Sequence, residues 1–168
     1  MDKREYKKKK ALEYEYARSV KLAKRPEKKL IIADGYNIIF AWEELSSLSK
    51  INIDSAKDKL IQILSNYSAI IDVEIMLVFD GHKLKGNNGD SSIKENITVI
   101  HTKEGQSADN YIEYFTNANK DKFDMMVVSS DGLIQQITRG QNCHVVSSRE
   151  FYTIIETATK ELRENYNL

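Results

Sequence analysis

The chain has little of what cross-links or stiffens a protein: it contains one cysteine, Cys143, and one proline, Pro26, in 168 residues. A lone cysteine excludes an internal disulfide and suits a reducing cytoplasm. We therefore expect a cytoplasmic protein in which Cys143 is a small apolar side chain of a buried strand. The cysteine and the three histidines also lack the spacing of a zinc site.

Long apolar runs are missing as well. No stretch approaches the ~20 residues that span a bilayer, and the basic N-terminus lacks the apolar segment and cleavage site of a secretory signal. The phosphate-binding pattern GxxxxGKS or GxxxxGKT is also absent. What remains, at 41% hydrophobic and 30% charged residues, is the composition of a globular protein with one domain, and we expect no membrane partner.

Positive charge is concentrated at the N-terminus, although the net charge is zero. Residues 1–29 hold 12 Lys and Arg against 5 Asp and Glu, so the remainder of the chain is acidic. An acidic body repels polyanions, and a basic arm could restore attraction for RNA or the ribosome. The arm could equally be a solvated helix or a linker.

Hydrophobic periodicity divides the chain into a basic helical extension, residues 1–28, and a domain, residues 29–168. Residues 3–24 contain no Gly or Pro, which favours a helix that ends near Pro26. The apolar face of this helix would be formed by Leu12, Tyr16, Val20 and Ala23.

Within the domain, short apolar runs alternate with helical segments. Strands are predicted at residues 30–33, 73–79, 97–101, 125–128 and 143–146. Helices are predicted at residues 38–48, from Asp54 as N-cap to residue 70, from Ser107 to residue 119, at residues 132–139 and from Ser148 onward. Residues 82–92 read as a mobile loop. This alternation predicts an α/β fold with a parallel sheet covered by helices on both faces.

Four aspartates occupy related positions in this pattern. Asp34, Asp80 and Asp131 follow apolar runs, and Asp109 opens a helix after another. In a parallel sheet all four would lie at the C-terminal edge, where open α/β sheets bind their ligands. Several carboxylates that lie close together cannot all stay ionised unless a cation offsets their repulsion. Hard divalent ions prefer oxygen ligands of this kind. The pattern favours a metal-dependent site that handles phosphates.

Each aspartate also has an ordinary structural explanation. Asp34-Gly35 and Asp80-Gly81 are common turn dipeptides. Asp131 could cap the helix that follows it, and Asp109 could favour the positive end of its own helix. The joint occurrence of four acids at one predicted edge is what makes a shared site the better interpretation. A haloacid-dehalogenase-type phosphatase fits less well, because Tyr36 stands where its second aspartate would be.

Four sequence blocks match a known arrangement: DGYNIIFAW (residues 34–42), VFDGHKLKG (78–86), HTKEGQSADNYIE (101–113) and, more loosely, VVSSD (127–131). In these blocks the chain resembles the YacP-like group of the NYN branch of PIN-like nucleases. The resemblance implies a three-layer α/β/α fold with a mostly parallel five-stranded sheet of order 3-2-1-4-5. It also implies hydrolysis of RNA with Mg²⁺ or Mn²⁺, by ribosome-associated endoribonucleases that cut mRNA during translation.

Carried over by position, the resemblance assigns metal-binding and catalytic roles to Asp34, Asp80, Asp109 and Asp131. Asn37 would orient a carboxylate or the scissile phosphate, or else only stabilise its turn. Side chains that could contact RNA are Tyr36, His82, Lys85 and Lys103.

Two other functions stay open at this point. The first is a non-catalytic module of the same fold that binds RNA or the ribosome; the four acids argue against it, because a binder of polyanions gains nothing from a negative pocket. The second is an enzyme of another class, such as a phosphatase, for which the residues offer no evident nucleophile.

Overall fold

The computed structural model describes residues 2–23 and 26–166. The chain forms a six-stranded sheet with helices on both faces. The strands are β1 (Lys29–Asp34), β2 (Glu74–Phe79), β3 (Asp90–Lys94), β4 (Ile97–His101), β5 (Asp124–Val128) and β6 (His144–Val146). The helices are α1 (Lys3–Ala23), α2 (Gly35–Ala41), α3 (Glu43–Ile51), α4 (Ile53–Ile71), α5 (Ala108–Asn119), α6 (Gly132–Gly140) and α7 (Ser148–Tyr166).

The strand order is β3-β4-β2-β1-β5-β6. All neighbouring pairs are parallel except β3 and β4, which are antiparallel. The five parallel strands follow one another as 3-2-1-4-5 when numbered among themselves, so the expected order is confirmed. The expected number of strands was one too low, because β3 adds an edge strand.

Central strand β1 shows why the fold has three layers. Ile31 and Ala33 point into one apolar cluster with α2, α3, α4 and α7, whereas Leu30 and Ile32 point into a second cluster with α5 and α6. All four side chains are buried, at 4% exposure or less. A strand that is apolar on both faces must be covered on both, which places β1 at the centre of the sheet.

The prediction of a loop was wrong for residues 90–92, which belong to β3. The strand is mostly exposed and carries polar side chains in its DSSIK sequence, so it lacks the apolar run that marks the parallel strands. Its backbone pairs with β4, whose own side chains are largely buried. An exposed edge strand leaves almost no apolar pattern in the sequence, and the prediction missed it for that reason.

The single helix predicted at residues 38–48 is two helices, α2 and α3, separated at Trp42. Trp42 has an extended backbone, and its indole N–H donates to the Ser148 carbonyl at 2.7 Å. Its ring packs near Phe151 and Tyr152, with 5% of the residue exposed. Burial of the indole against α7 therefore fixes the bend between the two helices.

Most other predicted helix ends are confirmed. Ser107 caps α5 by accepting from the Asn110 N–H at 3.0 Å, and α7 begins at Ser148. The N-cap of α4 was predicted wrongly: it is Asn52, which accepts from the Ser55 N–H at 3.1 Å, and Asp54 lies in the first turn. Asn and Asp cap about equally well, so propensity could not choose between positions two residues apart.

The N-terminal extension forms the predicted helix, α1. Leu12 and Tyr16 of its predicted apolar face are 59% and 73% exposed, so this part of the face is not buried. The side chains of Val20 and Ala23 lie outside the described residues. Cys143 is buried just before β6, and burial raises the pKa of its thiol to about 11. Among the described helices none has the length and hydropathy to cross a bilayer.

Candidate active site

Three of the four aspartates lie at or just after the C-terminal ends of adjacent parallel strands. Asp34 ends β1 in register with Val78, two residues before Asp80, and Ala33 is in register with Val128, three residues before Asp131. Asp109 reaches the same edge from α5, whose first N–H, that of Ala108, lies 3.4 Å from Asp80 Oδ2. The charges of the other three aspartates all act on Asp34 and contribute to its raised pKa.

Asp34 occupies the centre of this acidic cluster, defined as Asp34, Asp80, Asp109 and Asp131. Burial raises the pKa of its carboxyl to about 6, and the charges of the other three aspartates contribute to the rise. One interaction opposes the shift: Asp34 caps α2 and accepts from the Asn37 N–H at 3.3 Å. A buried acid surrounded by acids holds its proton more tightly, unless a cation relieves the repulsion.

Asp80 behaves in the opposite way. Its burial disfavours the charge, but hydrogen bonds from the backbone and side chain of His82 and from the Ala108 N–H outweigh burial and lower its pKa. Its Oδ1 accepts from the backbone N–H of His82 at 2.9 Å and also contacts the ring nitrogen Nδ1 of His82. These hydrogen bonds therefore favour the ionised form of Asp80.

Asp109 and Asp131 sit at the N-termini of helices. Burial, followed by the charges of Asp131 and Asp80, raises the pKa of Asp109. Asp131 caps α6 and accepts from the N–H groups of Leu133 and Ile134 at 2.9 and 3.1 Å. With Asp34 capping α2, three of the four carboxylates lie at positive helix ends, which partly offset their mutual repulsion. The capping explanation of Asp131 is thus correct and coexists with its place in the cluster.

Asn37 links segments that lie next to the acidic cluster. Its side-chain oxygen accepts from the Ser130 N–H at 3.0 Å and from the Ser148 hydroxyl at 2.6 Å. These bonds join α2 to the loop after β5 and to the start of α7. Since ionised carboxylate and phosphate oxygens only accept, Asn37 could contact them only through its amide N–H groups, and its oxygen stays with Ser130 and Ser148.

The resemblance implies a divalent ion, and the four aspartates are its candidate ligands. Carboxylate oxygens are the ligands that Mg²⁺ and Mn²⁺ prefer, and the raised pKa values of Asp34 and Asp109 mark repulsion that a cation would relieve. In residues 2–23 and 26–166, however, no three His, Cys, Asp or Glu side chains stand close enough to hold an ion as they are. The residues fit the ion in chemistry and charge, and binding would require their side chains to move closer together.

The residues predicted to contact RNA divide into two groups. Tyr36 and His82 line a cleft beside Asp80. Lys85 and Lys103 are exposed on two adjoining loops outside that lining, which are tied together where the Gly86 N–H donates to Glu104 at 2.9 Å. Lys85 and Lys103 thus lie outside the lining of the cleft, whereas the rings of Tyr36 and His82 form part of its wall. Contact of these four residues with RNA stays a prediction.

Two charged residues that line the cleft, Lys57 and Asp90, were not predicted from the sequence. Lys57 of α4 lines the cleft and is only half-exposed. A signal was present, because Lys57 shares a helix face with the buried Leu60, Ile61 and Leu64, three, four and seven residues further on. A lysine on an apolar helix face is unusual enough to suggest a function.

Comparison with known proteins gives concordant results. The family model of the YacP-like NYN domain matches residues 31–168. The YacP protein of Bacillus subtilis (strain 168) is 32% identical over 134 residues, covering 79% of this chain and 78% of that protein.

Solved structures extend the likeness to three dimensions. The crystal structure of Rae1 (YacP) from Bacillus subtilis superposes with a TM-score of 0.68 at 31% identity, covering 83% of this chain and 80% of that one. A mutant of the same protein gives a TM-score of 0.69 at 30% identity, covering 81% and 80%. Sequence match and fold thus agree, and the chain belongs to the YacP-like NYN-domain family, within the PIN-like nuclease superfamily.

Proposed function

We propose that this protein is a divalent-metal-dependent endoribonuclease that hydrolyses RNA phosphodiester bonds, with mRNA on or near the ribosome as its substrate in the cytoplasm. One observation carries the chemical part of the proposal. The carboxyl of Asp34 lies among three other aspartates at the sheet edge, and burial together with their charges raises its pKa to about 6. A fold does not maintain such repulsion for stability, so the cluster is best explained by a cation and a phosphate substrate.

The four aspartates would share the ion unequally. Asp34 and Asp109, whose pKa values are raised, are the natural direct ligands, because the ion would most relieve their repulsion. Asp80 and Asp131 already accept backbone hydrogen bonds and would complete the site directly or through water. When bound, a divalent ion lowers the pKa of a coordinated water and neutralises charge that develops on the phosphate. Asn37 would position the phosphate through its amide N–H groups.

A circular single-stranded RNA tests the proposal, because a circle has no ends and can be opened only by an endonuclease. We expect the full chain to open the circle in Mn²⁺ or Mg²⁺ and to be inactive in EDTA. Asp34→Asn and Asp109→Asn should each lower the rate by on the order of 100-fold or more. The matched control is Asp72→Asn, since Asp72 follows α4 two residues before β2, at the opposite edge of the sheet, and Asn tolerates its left-handed backbone.

Equal loss of activity in Asp72→Asn and Asp34→Asn would count against the site. Metal-independent opening of the circle would count against the ion. The ribosomal part is separate: the same mRNA should be cut faster while it is being translated than when it is free.

A second function, RNA or ribosome binding without cleavage, is favoured by one observation: the described residues contain no ready-made group of three metal ligands. Tight RNA binding with no cleavage in any metal, on free or translating mRNA, would favour this second function over the first.

A further inference from the structure

A cleft of about 630 Å³ opens beside the acidic cluster. Asp80 belongs to both, so a polymer bound at the cluster would continue into the cleft. The other residues that line it include Tyr36, Lys57, His82, Leu84 and His101. Its volume falls in the range of small-molecule sites and would admit a nucleotide.

Lys57 supplies a positive charge inside this cleft. Its ammonium lies 4.4 Å from the centre of the Phe79 ring and 5.7 Å from that of Tyr36. The same nitrogen is 2.9 Å from His101 Nε2. The ammonium is therefore held by two aromatic rings and one imidazole.

The partners of His101 determine its tautomer. Its Nδ1 is 2.8 Å from Asp90 Oδ1, and a carboxylate can only accept, so Nδ1 carries the proton and donates. Nε2 then has the lone pair that accepts from Lys57. The ring is also stacked on Phe79, with centroids 5.5 Å apart and planes inclined by 21°. The Asp90–His101 pair thus holds Lys57 in place, and the charge of Asp90 acts on the ammonium from the far side of the imidazole.

Lys57 has no anionic partner at close range. In the described part of the chain no carboxylate oxygen lies within the 4.0 Å of an ion pair from its nitrogen. Burial lowers the pKa of Lys57, while the more distant charges of Asp54, Asp90 and Asp58 oppose that shift. Only one of its three N–H donors is used by His101. A partly desolvated ammonium with spare donors gains most from an anionic ligand.

We propose that this cleft binds the nucleotide adjoining the scissile phosphate, with Lys57 contacting a phosphate that is not cleaved and Tyr36 and His82 lying alongside the base. The inference rests on the proposed function in taking RNA as the substrate. Lys57 and Lys83 line the cleft beside aromatic and apolar side chains, and Asp80 and Asp90 are its two carboxylates. Cations next to aromatic rings suit a phosphate joined to a base better than free phosphate, and the two carboxylates disfavour an acidic peptide. His101 and Asp90 act as positioning residues for Lys57.

The test removes the charge and keeps the packing. Lys57→Met retains an apolar stem over Phe79, and Lys57→Arg restores a cation. Binding of a 12-nucleotide single-stranded RNA in EDTA would be followed by fluorescence anisotropy from 50 to 300 mM salt. We expect Lys57→Met to weaken binding by about 5- to 10-fold and to lower the slope of log K against log salt by about 0.7, the value of one phosphate contact.

The matched control is Lys59→Met, which removes the same charge from the same helix. Lys59 lines a different cleft, with Leu48, Asp58 and Lys94, so the salt slope should stay at the wild-type value. In cleavage assays Lys57→Met should raise KM and leave kcat within about 2-fold, because the proposed contact is made equally in the ground and transition states. Lys57→Arg should recover most of the affinity.

A wild-type salt slope and affinity in Lys57→Met would overturn the inference, even if the protein cleaves RNA. If the wild type cleaves RNA in no condition but binds it in a way that depends on Lys57, the proposed function would be overturned and the assignment of the cleft would stand. Uridine monophosphate should compete better than inorganic phosphate, and equal competition would overturn the assignment of a base. If Lys57→Met does not fold, chemical acetylation of the wild-type lysines tests the proposal instead. Bound RNA should protect Lys57 from the reagent and leave Lys59 reactive. Equal acetylation of Lys57 with and without RNA would overturn the proposal.

Discussion

At the scale of single residues, two aspartates at the same sheet edge, Asp34 and Asp80, have pKa values shifted in opposite directions. Asp80 accepts three hydrogen bonds, and its pKa is lowered even though it is partly buried. Asp34 accepts one backbone hydrogen bond and faces three carboxylates, and its pKa rises to about 6. The difference comes from hydrogen-bond donors rather than from the residue type, since donors offset the loss of hydration that burial imposes on both.

The raised pKa of Asp34 predicts a pH effect on stability in the absence of metal. The folded state keeps the proton up to about pH 6, whereas an unfolded aspartate loses it near 3.8. Stability from this group is therefore present below pH 4 and lost as the pH rises from 4 to 6. Asp34→Asn should remove the loss and raise the free energy of unfolding at pH 7.5 by on the order of 1–2 kcal/mol in EDTA.

Urea unfolding of both proteins at several pH values in EDTA measures this effect. Near pH 4 the two proteins should be similarly stable, because Asn is about as good an N-cap as Asp. Mn²⁺ should stabilise the wild type in proportion to its binding and Asp34→Asn much less. Parallel pH profiles for the two proteins would contradict the electrostatic account.

At the scale of elements, the turns after β1 and β2 depend on close packing. Neither Gly35 nor Gly81 has a positive φ, so their Asp-Gly sequences do not mark the left-handed turns that such dipeptides often form. A Cβ on Gly35 would lie 2.4 Å from the Phe79 ring, and one on Gly81 would lie 2.3 Å from the Thr102 carbonyl oxygen. Both glycines let the backbone that carries an aspartate approach a neighbouring element.

Gly35→Ala should therefore disturb both stability and the site. The added methyl must displace Phe79, and we expect a loss of about 1–3 kcal/mol with reduced cleavage. Gly132→Ala is the control, because nothing lies within 4 Å of a Cβ at that position in the first turn of α6. It should be neutral or slightly stabilising. Equal stability of the two variants by urea unfolding would show that Phe79 yields without cost.

Asn37 predicts a second effect at this scale, since one side-chain oxygen joins three elements. Asn37→Ala leaves the Ser130 N–H and the buried Ser148 hydroxyl without their acceptor. We expect a loss of about 1–3 kcal/mol in the free energy of unfolding. Asn66→Ala, on the exposed side of α4, should change it by less than about 0.5 kcal/mol. A stability loss no larger than that of the control would mean that the two bonds contribute little.

At the scale of the whole molecule, charge is divided between the basic extension and the acidic remainder. The family match starts at residue 31, so the extension lies outside the matched region. Lys7, Lys8, Lys9 and Lys10 are exposed on α1 and available to a polyanion. We propose that residues 1–28 supply electrostatic attraction that the acidic domain lacks, as an addition to a domain formed by residues 29–168.

Replacing the lysines at 7–10 by glutamine in the full chain tests this division. RNA or ribosome binding should weaken, and on single-stranded RNA the salt slope should fall by about 0.7 for each phosphate that the arm no longer neutralises. The same four positions changed to arginine form the control and should retain the wild-type slope. A slope that is the same in all three proteins would reject the electrostatic role of the arm.

Much of the architecture could be read from local patterns. The alternation of apolar runs and helical segments predicted the parallel strands, and the resemblance supplied their order, both confirmed by the structure. The positions of Asp34, Asp80 and Asp131, each within three residues of the end of an apolar run, predicted a common edge, because parallel strands must end on the same side. These features depend on periodicity over a few residues, which a sequence displays directly.

Only the tertiary structure decided the environments of the side chains. The bend at Trp42 and the cleft around Lys57 each depend on contacts between residues far apart in the chain. The same holds for acidity: the sequence names four aspartates, but their burial and hydrogen-bond donors determine that Asp34 is protonated more readily than Asp80. A carboxyl group's pKa depends on every charge and donor within a few ångströms, and those neighbours exist only once the chain has folded.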